Sequence, residues 1–407
     1  MTAAPDAMPD AIRRAHAAFR AWLFDSALPV WGDVGCDGTA AAPALRGAQE
    51  HLAPDGTPAR PGFKRMRVQA RQLYAFTRAA LYGWPGGAAR AEGIYRFMLR
   101  GLRADGGWAC RLTPDGAVLD PTADLYDLAF IIFALSWYAR LDPSGEPVRL
   151  ARRTVAWLRA TMAHANGGFA NTWPPASGPR QQNPHMHLLE AALALFDTTG
   201  DEADAALAHD LVDLFRTRLF DPATGTLGEF FTDSWQPVVG PQGALVEPGH
   251  QYEWVWLLHE YARLTGRPTG AHAQSLFAFG RRHGVDPRTA LVRDVLTRQG
   301  DIVRGGARLW AQTEGLRAEI AMHGLPQAPP HADNADNTVQ IARIVDNLLG
   351  RYFIDCPPGT WNDQLDPACR PAGDKIPASS FYHIVAGYAE LDRLAGGSAG
   401  ESAMRIA

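Results

Sequence analysis

Gly107-Trp108, a glycine followed by a large ring, recurs down the chain as Gly168-Phe169, Gly228-Glu229-Phe230, Leu291-Val292 and Gly359-Thr360-Trp361. Counted from the last residue of each, the intervals are 61, 61, 62 and 69 residues, and Trp31-Gly32 is a looser, earlier member. A fixed period of this length marks a repeated supersecondary unit that cannot bury its apolar face alone.

Between these markers the apolar residues step by three and four, as Ile12, Ala15, Phe19, Leu23 and Ala27 do. That spacing predicts about twelve helices, over 11–27, 68–81, 94–102, 125–141, 148–162, 186–196, 205–219, 252–264, 271–283, 307–322, 339–352 and 381–394. Each unit is then one turn or small hairpin plus two helices. Six such pairs close into a double ring, an (α/α)6 barrel, and residues 1–407 are expected to form this one domain. An open helical solenoid is the alternative, but it needs polar capping repeats at its ends, and neither end shows one. In a closed ring the hairpins of one rim surround a central cavity, so functional residues are expected beside the markers.

Composition narrows the field. The chain has 407 residues, 46% of them hydrophobic and 20% charged, and a formal net charge of −4. Basic residues form no stripe, which argues against a nucleic-acid partner. No apolar run reaches the ~18 residues that a membrane helix needs. The opening residues lack a basic segment followed by an apolar one, so no signal peptide is expected. Cys36, Cys110, Cys356 and Cys369 are scattered, which fits reduced thiols in the cytoplasm better than a disulfide framework or a thiolate zinc site. Phosphate-cradling, dinucleotide-binding and serine-hydrolase motifs are absent from the sequence. No cofactor is expected, and the oligomer is read as a monomer or homodimer.

Several segments can carry chemistry. In Pro248-Gly249-His250-Gln251-Tyr252-Glu253 the Pro-Gly starts a helix, and His250 and Glu253 share a face. The positive end of the helix dipole favours a neutral imidazole at His250, able to accept a proton. Alternatively, His250 caps the helix and Glu253 is a solvated acid. In Asn183-Pro184-His185-Met186-His187-Leu188-Leu189-Glu190, the two histidines are two apart and diverge by roughly 200° on a helix, so no metal site is expected. His187 and Glu190 do share a face. His383, in Ser379-Ser380-Phe381-Tyr382-His383, stands at a helix start as His250 does. Lys64, Arg67 and Arg71 lie along one face, either as solvated charge or as an anion site, with Arg71 placed to project inward. Trp310 with Glu314, and Trp361 with its amide and acidic neighbours, suit a sugar, whose C–H faces are apolar and whose hydroxyls need partners.

Taken together, Gln69-Ala70-Arg71, Leu125 to Phe130, Asn183 to Ala191, Pro248 to Leu258, Trp310 to Glu314 and Tyr382-His383 resemble, in order, the N-acylglucosamine 2-epimerase superfamily. That group includes cellobiose 2-epimerases and mannose-type aldose–ketose isomerases. The resemblance implies an (α/α)6 barrel and cofactor-free proton transfer next to a sugar carbonyl. It implies His250, Glu253 and His383 as catalytic residues. Arg71, Tyr126, Asn183, His187, Trp310, Glu314 and Trp361 are expected to bind substrate. The stretch Gly359 to Asp366 resembles the isomerase branch, and no Trp-Lys-x-Pro precedes Tyr382-His383 as it often does in cellobiose epimerases. Isomerisation of a mannose-type sugar is therefore expected ahead of 2-epimerisation. An (α/α)6 glycosidase or a glycan-binding protein is the reading from another class. A glycosidase would need carboxylates about 6.5–9.5 Å apart, with Asp127, Glu253, Glu314 and Asp363 as candidates.

Overall fold

The computed structural model describes residues 9–37, 47–323 and 337–397. The expected helices are all present. They are α1 (Asp10–Trp22), α2 (Leu28–Asp33), α3 (Met66–Leu81), α4 (Gly87–Met98), α5 (Leu125–Tyr138), α6 (Glu146–Thr161), α7 (Gln182–Thr199), α8 (Glu202–Leu214), α9 (Pro248–Thr265), α10 (Gly270–Phe279), α11 (Leu309–Ala321), α12 (Asn337–Asn347) and α13 (Ser379–Leu394). The stretch expected as one helix over 11–27 is α1 followed by a π-turn at Leu23–Ala27, which leads into α2.

Alternate helices form the two rings. α3, α5, α7, α9, α11 and α13 each pack on the next, and α13 packs back on α3. Outside them α4, α6, α8, α10 and α12 each back the preceding inner helix, while α1 fills the sixth place against α12 and α13. This closure removes the open solenoid. Burial follows position: α5 is buried along nearly its whole length, from Leu125 to Leu135. α6, in the outer ring, buries only the face carrying Pro147, Leu150, Ala151, Thr154, Trp157 and Leu158 and turns its arginines outward, the amphipathic pattern of a surface helix. Among the described residues no helix is long and apolar enough to cross a membrane.

A belt of short antiparallel strands stitches the repeats together at one rim. A two-residue strand leads into every inner helix, directly or with one residue between: Lys64–Arg65, Ala123–Asp124, Arg180–Gln181, Leu245–Val246, Ala307–Arg308 and Ile376–Pro377. Each pairs with a strand from the following repeat, and Ile376–Pro377 completes the circle by pairing with His51–Leu52. The sequence markers sit in the accompanying turns. Trp108 bridges to Leu102, Phe169 to Ala163 and Val292 to Val285. In the third repeat the equivalent residue is Leu227, paired with Phe220, whereas Phe230 belongs to the belt opposite Gln181.

The fourth residue of four inner helices holds these turns. Gln69, Gln251 and Gln312 each accept a backbone N–H and donate to the C=O of one residue: Ala48, Leu227 and Val292. In α7 the place is taken by His185, whose Nε2 accepts Phe169 N–H at 3.0 Å while Nδ1 lies 2.9 Å from Gln181 O. Gly168 has no side chain because a Cβ there would lie 2.8 Å from His185 Nε2, and its φ is +66°. His185 is therefore part of the frame, as the expected divergence of the two histidines requires.

Candidate functional site

Two residues beyond each clamp, the helix faces the opposite way. The sixth residue of α3, α5, α7, α9 and α11 is Arg71, Phe130, His187, Glu253 and Glu314. In α13 it is His383, counted from Ala378, whose backbone is already helical. The inner helices all start at the same rim, so this shared step brings six side chains to one depth around the barrel axis. Their contacts agree: the Arg71 guanidinium lies 4.1 Å from the Phe130 ring centroid, the Phe130 and His187 centroids are 4.6 Å apart, His187 is 3.4 Å from Glu253, and His383 is 2.7 Å from Glu314.

His250 lies one turn nearer the rim. Its Nδ1 is 2.9 Å from Glu229 Oε2, and its ring centroid is 4.9 Å from that of Trp310. Gly249 makes this stacking possible, since a Cβ there would lie 2.6 Å from the Trp310 ring. Burial pulls the His250 pKa down, but the carboxylates of Glu229 and Glu247 outweigh it, and the pKa is raised above the ordinary histidine value. The neutral imidazole expected from the helix dipole is thus overruled by a carboxylate. Glu229 is itself fixed by Gln182 Nε2 (2.9 Å) and by the N–H of Glu247 (3.0 Å).

His383 also borders Trp310, 5.7 Å between ring centroids, with Nδ1 at 2.7 Å from Glu314 Oε1. Here burial, Arg71 and Arg317 act together and hold the pKa well below the ordinary value. Glu314, expected to bind substrate, is turned to His383 and Arg317. It is fully buried, one oxygen on His383 and the other on Arg317 Nη1 at 2.8 Å. Burial pushes its carboxyl up to about 7 despite that arginine.

The floor below is a charged layer. Arg317 Nη2 donates to Glu190 Oε1 at 2.9 Å, Tyr382 donates to Glu190 Oε2, and His187 Nδ1 is 3.3 Å from that same oxygen. Burial drives the His187 pKa down to about 3. Glu253, expected beside His250, instead approaches His187 (3.4 Å). Neither Glu253 oxygen has a hydrogen-bond partner. Burial, Glu314 and Glu190 raise its pKa well above the ordinary carboxylate value, which favours the neutral acid. His187, Glu190 and Glu253 bring one potential ligand atom each within 4.8 Å of one another, the group among the described residues that could hold a metal ion. Arg317, already on Glu190, opposes a cation there.

Arg71 projects inward as expected. Nη2 donates to the Tyr126 hydroxyl at 2.7 Å, Nη1 to Ser379 O at 3.2 Å, and the guanidinium lies 4.1 Å from the Phe130 ring centroid. Tyr126 is half-buried, its ring 5.0 Å from that of His187. Asn183, second in α7, is half-buried with Oδ1 unpartnered. Trp361 departs from expectation: it is 1% exposed and stacked between Trp31 (4.7 Å) and Phe381 (5.8 Å), deep in the core. The members of the basic run outside Arg71 are each paired with a carboxylate. Lys64 is on Asp37 (2.6 Å), Arg65 on Glu50 (2.7 Å) and Arg67 on Asp127 (2.6 Å).

Three residues that contact this cavity's ionisable groups were not among the expected site residues: Glu229, Arg317 and Tyr382, the last quoted only as part of the motif with His383. Glu229 was inside a repeat marker, and Arg317 stands three residues after Glu314, where a helical partner is expected.

Comparison with known proteins bears on this cavity. The profile of the N-acylglucosamine 2-epimerase (GlcNAc 2-epimerase) family matches residues 47–387. The mannose-6-phosphate isomerase of Rhizobium meliloti (strain 1021) is 34% identical over 379 residues, covering 91% of this chain and 95% of that protein. The D-mannose isomerase of Thermobifida fusca is 27% identical, covering 75% and 78%. Among solved structures, the cellobiose 2-epimerase of Spirochaeta thermophila DSM 6192 superposes with a TM-score of 0.82 at 24% identity, covering 96% of this chain and 99% of that one.

Proposed function

The chain belongs to the N-acylglucosamine 2-epimerase family, and from that premise we propose that it is an aldose–ketose isomerase interconverting a mannose-type aldose with its ketose. The observation that carries this reading is the pair of buried histidines, His250 and His383, both beside Trp310, with their pKa values shifted in opposite directions.

The chemistry needs two proton movements. First the pyranose ring opens, which requires a base at the anomeric hydroxyl and an acid at the ring oxygen. Neutral His383, with its Nδ1–H donated to Glu314, offers Nε2 as the base. Protonated His250 is the acid. His250, neutral once it has protonated the ring oxygen, then takes the proton from C2, while His383 returns its proton to O1, giving a cis-enediol. His250 delivers the proton to C1 as His383 takes one from the C2 hydroxyl, completing the ketose. Ring closure restores both histidines. Arg71 and the neutral acid Glu253 are the donors suited to the developing negative oxygen, because charge-assisted hydrogen bonds count for most in a water-poor cavity. Aldose and ketose are isomers, so the step requires no external oxidant or reductant. Glu229 and Glu314 are positioning residues that set the charge and tautomer of the two histidines.

Isomerisation is favoured over epimerisation because both mannose-isomerase relatives match most of the chain. A second reading, a phosphorylated mannose, is favoured by the name of the relative at 34% identity. The cavity's margin supports the uncharged sugar. Arg67 is held by Asp127, with Asp124 at 4.0 Å, and Arg308 by Glu247 (2.5 Å) and Asp294 (3.0 Å), so each cation already faces two carboxylates. Proton NMR in D2O with mannose, mannose 6-phosphate and N-acetylmannosamine is the test. Fructose carrying deuterium from solvent at C1 is the expected product. A C2 epimer without ketose would overturn the isomerase, and turnover of the phosphate alone would overturn the uncharged substrate.

A further inference from the structure

Three of the inner helices begin in the same way. Gln69, Gln251 and Gln312, the fourth residues of α3, α9 and α11, clamp Ala48, Leu227 and Val292. Two residues beyond each clamped residue stands a buried acid: Glu50, Glu229 and Asp294. Each accepts the N–H of the residue that precedes its helix, from Arg65 at 2.6 Å, Glu247 at 3.0 Å and Arg308 at 2.9 Å. The acid thereby satisfies a backbone donor that the helix leaves unpaired.

The three differ in where the rest of the acid's charge goes. In α3 and α11 the preceding residue is an arginine, and its side chain holds the acid as well. Arg65 Nε lies 2.7 Å from Glu50 Oε2, and Arg308 Nε lies 3.0 Å from Asp294 Oδ1. The third residues of those helices are Val68 and Ala311, which offer a carboxylate nothing. In α9 the preceding residue is Glu247, which repels Glu229 where an arginine would hold it. The third residue is His250, and its Nδ1 meets Glu229 Oε2 at 2.9 Å. Glu247 itself is met from the neighbouring repeat, by Arg308 Nη2 at 2.5 Å.

An arginine at 247 would compete with His250 for Glu229. A guanidinium is a charged partner at every working pH, whereas an imidazole is one only when protonated. The other charges near His250 are few. Arg308, ahead of α11, lowers its pKa while Glu229 and Glu247 raise it. His383, on α13, also feels the charge of His250, and Glu253, one turn on in α9, approaches His187 instead.

We propose that Glu247 is a positioning residue: a carboxylate at the place where two other repeats carry arginine leaves Glu229 to His250. Its part in the reaction rests on His250 being the ring-opening acid.

The test is a double-mutant cycle between positions 247 and 229 in the full chain. It is read as the His250 pKa by NMR titration and, separately, as the pH profile of mannose turnover. Glu247→Arg should lower the His250 pKa by about one unit or more, the effect of drawing away a close carboxylate. The alkaline limb of kcat should move to lower pH with it. In a Glu229→Gln background no carboxylate is left to divert, so the same change should produce a markedly smaller shift. Equal shifts in the two backgrounds, or an unmoved pKa in Glu247→Arg, would overturn the proposal. If Glu247→Arg does not fold by circular dichroism, Glu247→Lys takes its place in the same cycle, with the same two outcomes deciding. The titration needs no substrate. The expected shifts in a protein that turns over no aldose would therefore sink the isomerase and leave the placement of Glu229 standing, whereas turnover with an unmoved His250 would sink only the role of Glu247.

Discussion

The corner around His250 and the corner around His383 are built from the same parts: a buried imidazole, a carboxylate on its Nδ1 at 2.9 and 2.7 Å, and the Trp310 ring nearby. Yet one ring is driven toward its charged form and the other away from it. The nearest carboxylate does not decide the matter. Glu229 is supported only by neutral donors, Gln182 and a backbone N–H, so its whole charge is available to His250, with Glu247 adding more. Glu314 is shared with Arg317, and Arg71 adds a second cation near His383. What a histidine's partner is itself paired with determines whether that partner attracts a proton.

The largest effects should come from removing the rings. His250→Asn and His383→Asn should each lower turnover by ~10²–10⁴-fold, the usual contribution of a general acid or base. If either variant keeps near-wild-type turnover, the two-histidine reading breaks. Deuterium exchange at C2 in D2O separates their roles, because a variant defective only in ring opening should recover on a sugar with a large open-chain fraction.

Next comes the cation that sets the two corners apart. Arg71→Ala should reduce kcat/KM by about 10–100-fold, the cost of one hydrogen bond from a charged group. It should also raise the His383 pKa, since Arg71 helps to depress it. An ionisation of His383, followed by NMR titration, that does not move would show that burial alone holds it neutral.

Glu229→Gln tests the comparison most directly. Glu229 raises the His250 pKa, so removing its charge must lower it. Activity that requires protonated His250 falls as pH rises through that pKa, and the alkaline limb of the rate profile should move to lower pH. Glu314→Gln should leave that limb in place and act on His383 instead. Identical profiles for the two variants would erase the distinction between the corners.

The smallest effect concerns the frame. Burial lowers the His185 pKa to about 4. Below the ordinary value near 6.5 the unfolded chain takes up a proton that the native state refuses. His185 therefore contributes stability in full above about pH 6.5, and this is lost as pH falls toward 4. His185→Gln, which places in α7 the residue found at the same step of α3, α9 and α11, should leave activity unchanged. It should flatten the fall of melting temperature between pH 6.5 and 4. An unchanged fall would assign the acid sensitivity to His187 or His383.

The helices were readable because their apolar spacing is local, and the ring followed from counting markers. His250, His383, Arg71 and His187 were found because each opens an inner helix close to a turn signal. The pairing was not readable. Glu253 was matched to His250 by its three-residue spacing, but Glu229, 21 residues earlier, crosses the strand belt to take that ring. Trp361 and Glu314 had the right chemistry for a sugar, but only packing shows that one is stacked in the core and the other is spent on His383. Spacing along one helix reveals which residues share a face, not which neighbouring helix that face meets.

The steps four and six of the inner helices have a consequence for how such a protein can change. Roughly 200° separates them on a helix, so the clamp residues and the cavity residues are inherited as neighbours yet answer to different selection. A single codon change at Arg71, Phe130, His187, Glu253 or Glu314 rewrites one sixth of the reacting surface while Gln69, His185, Gln251 and Gln312 go on holding the turns. Drift at the fourth step is checked by folding, and novelty at the sixth is checked by metabolism. A lineage built on this barrel can therefore explore new sugars one repeat at a time without first giving up its shape.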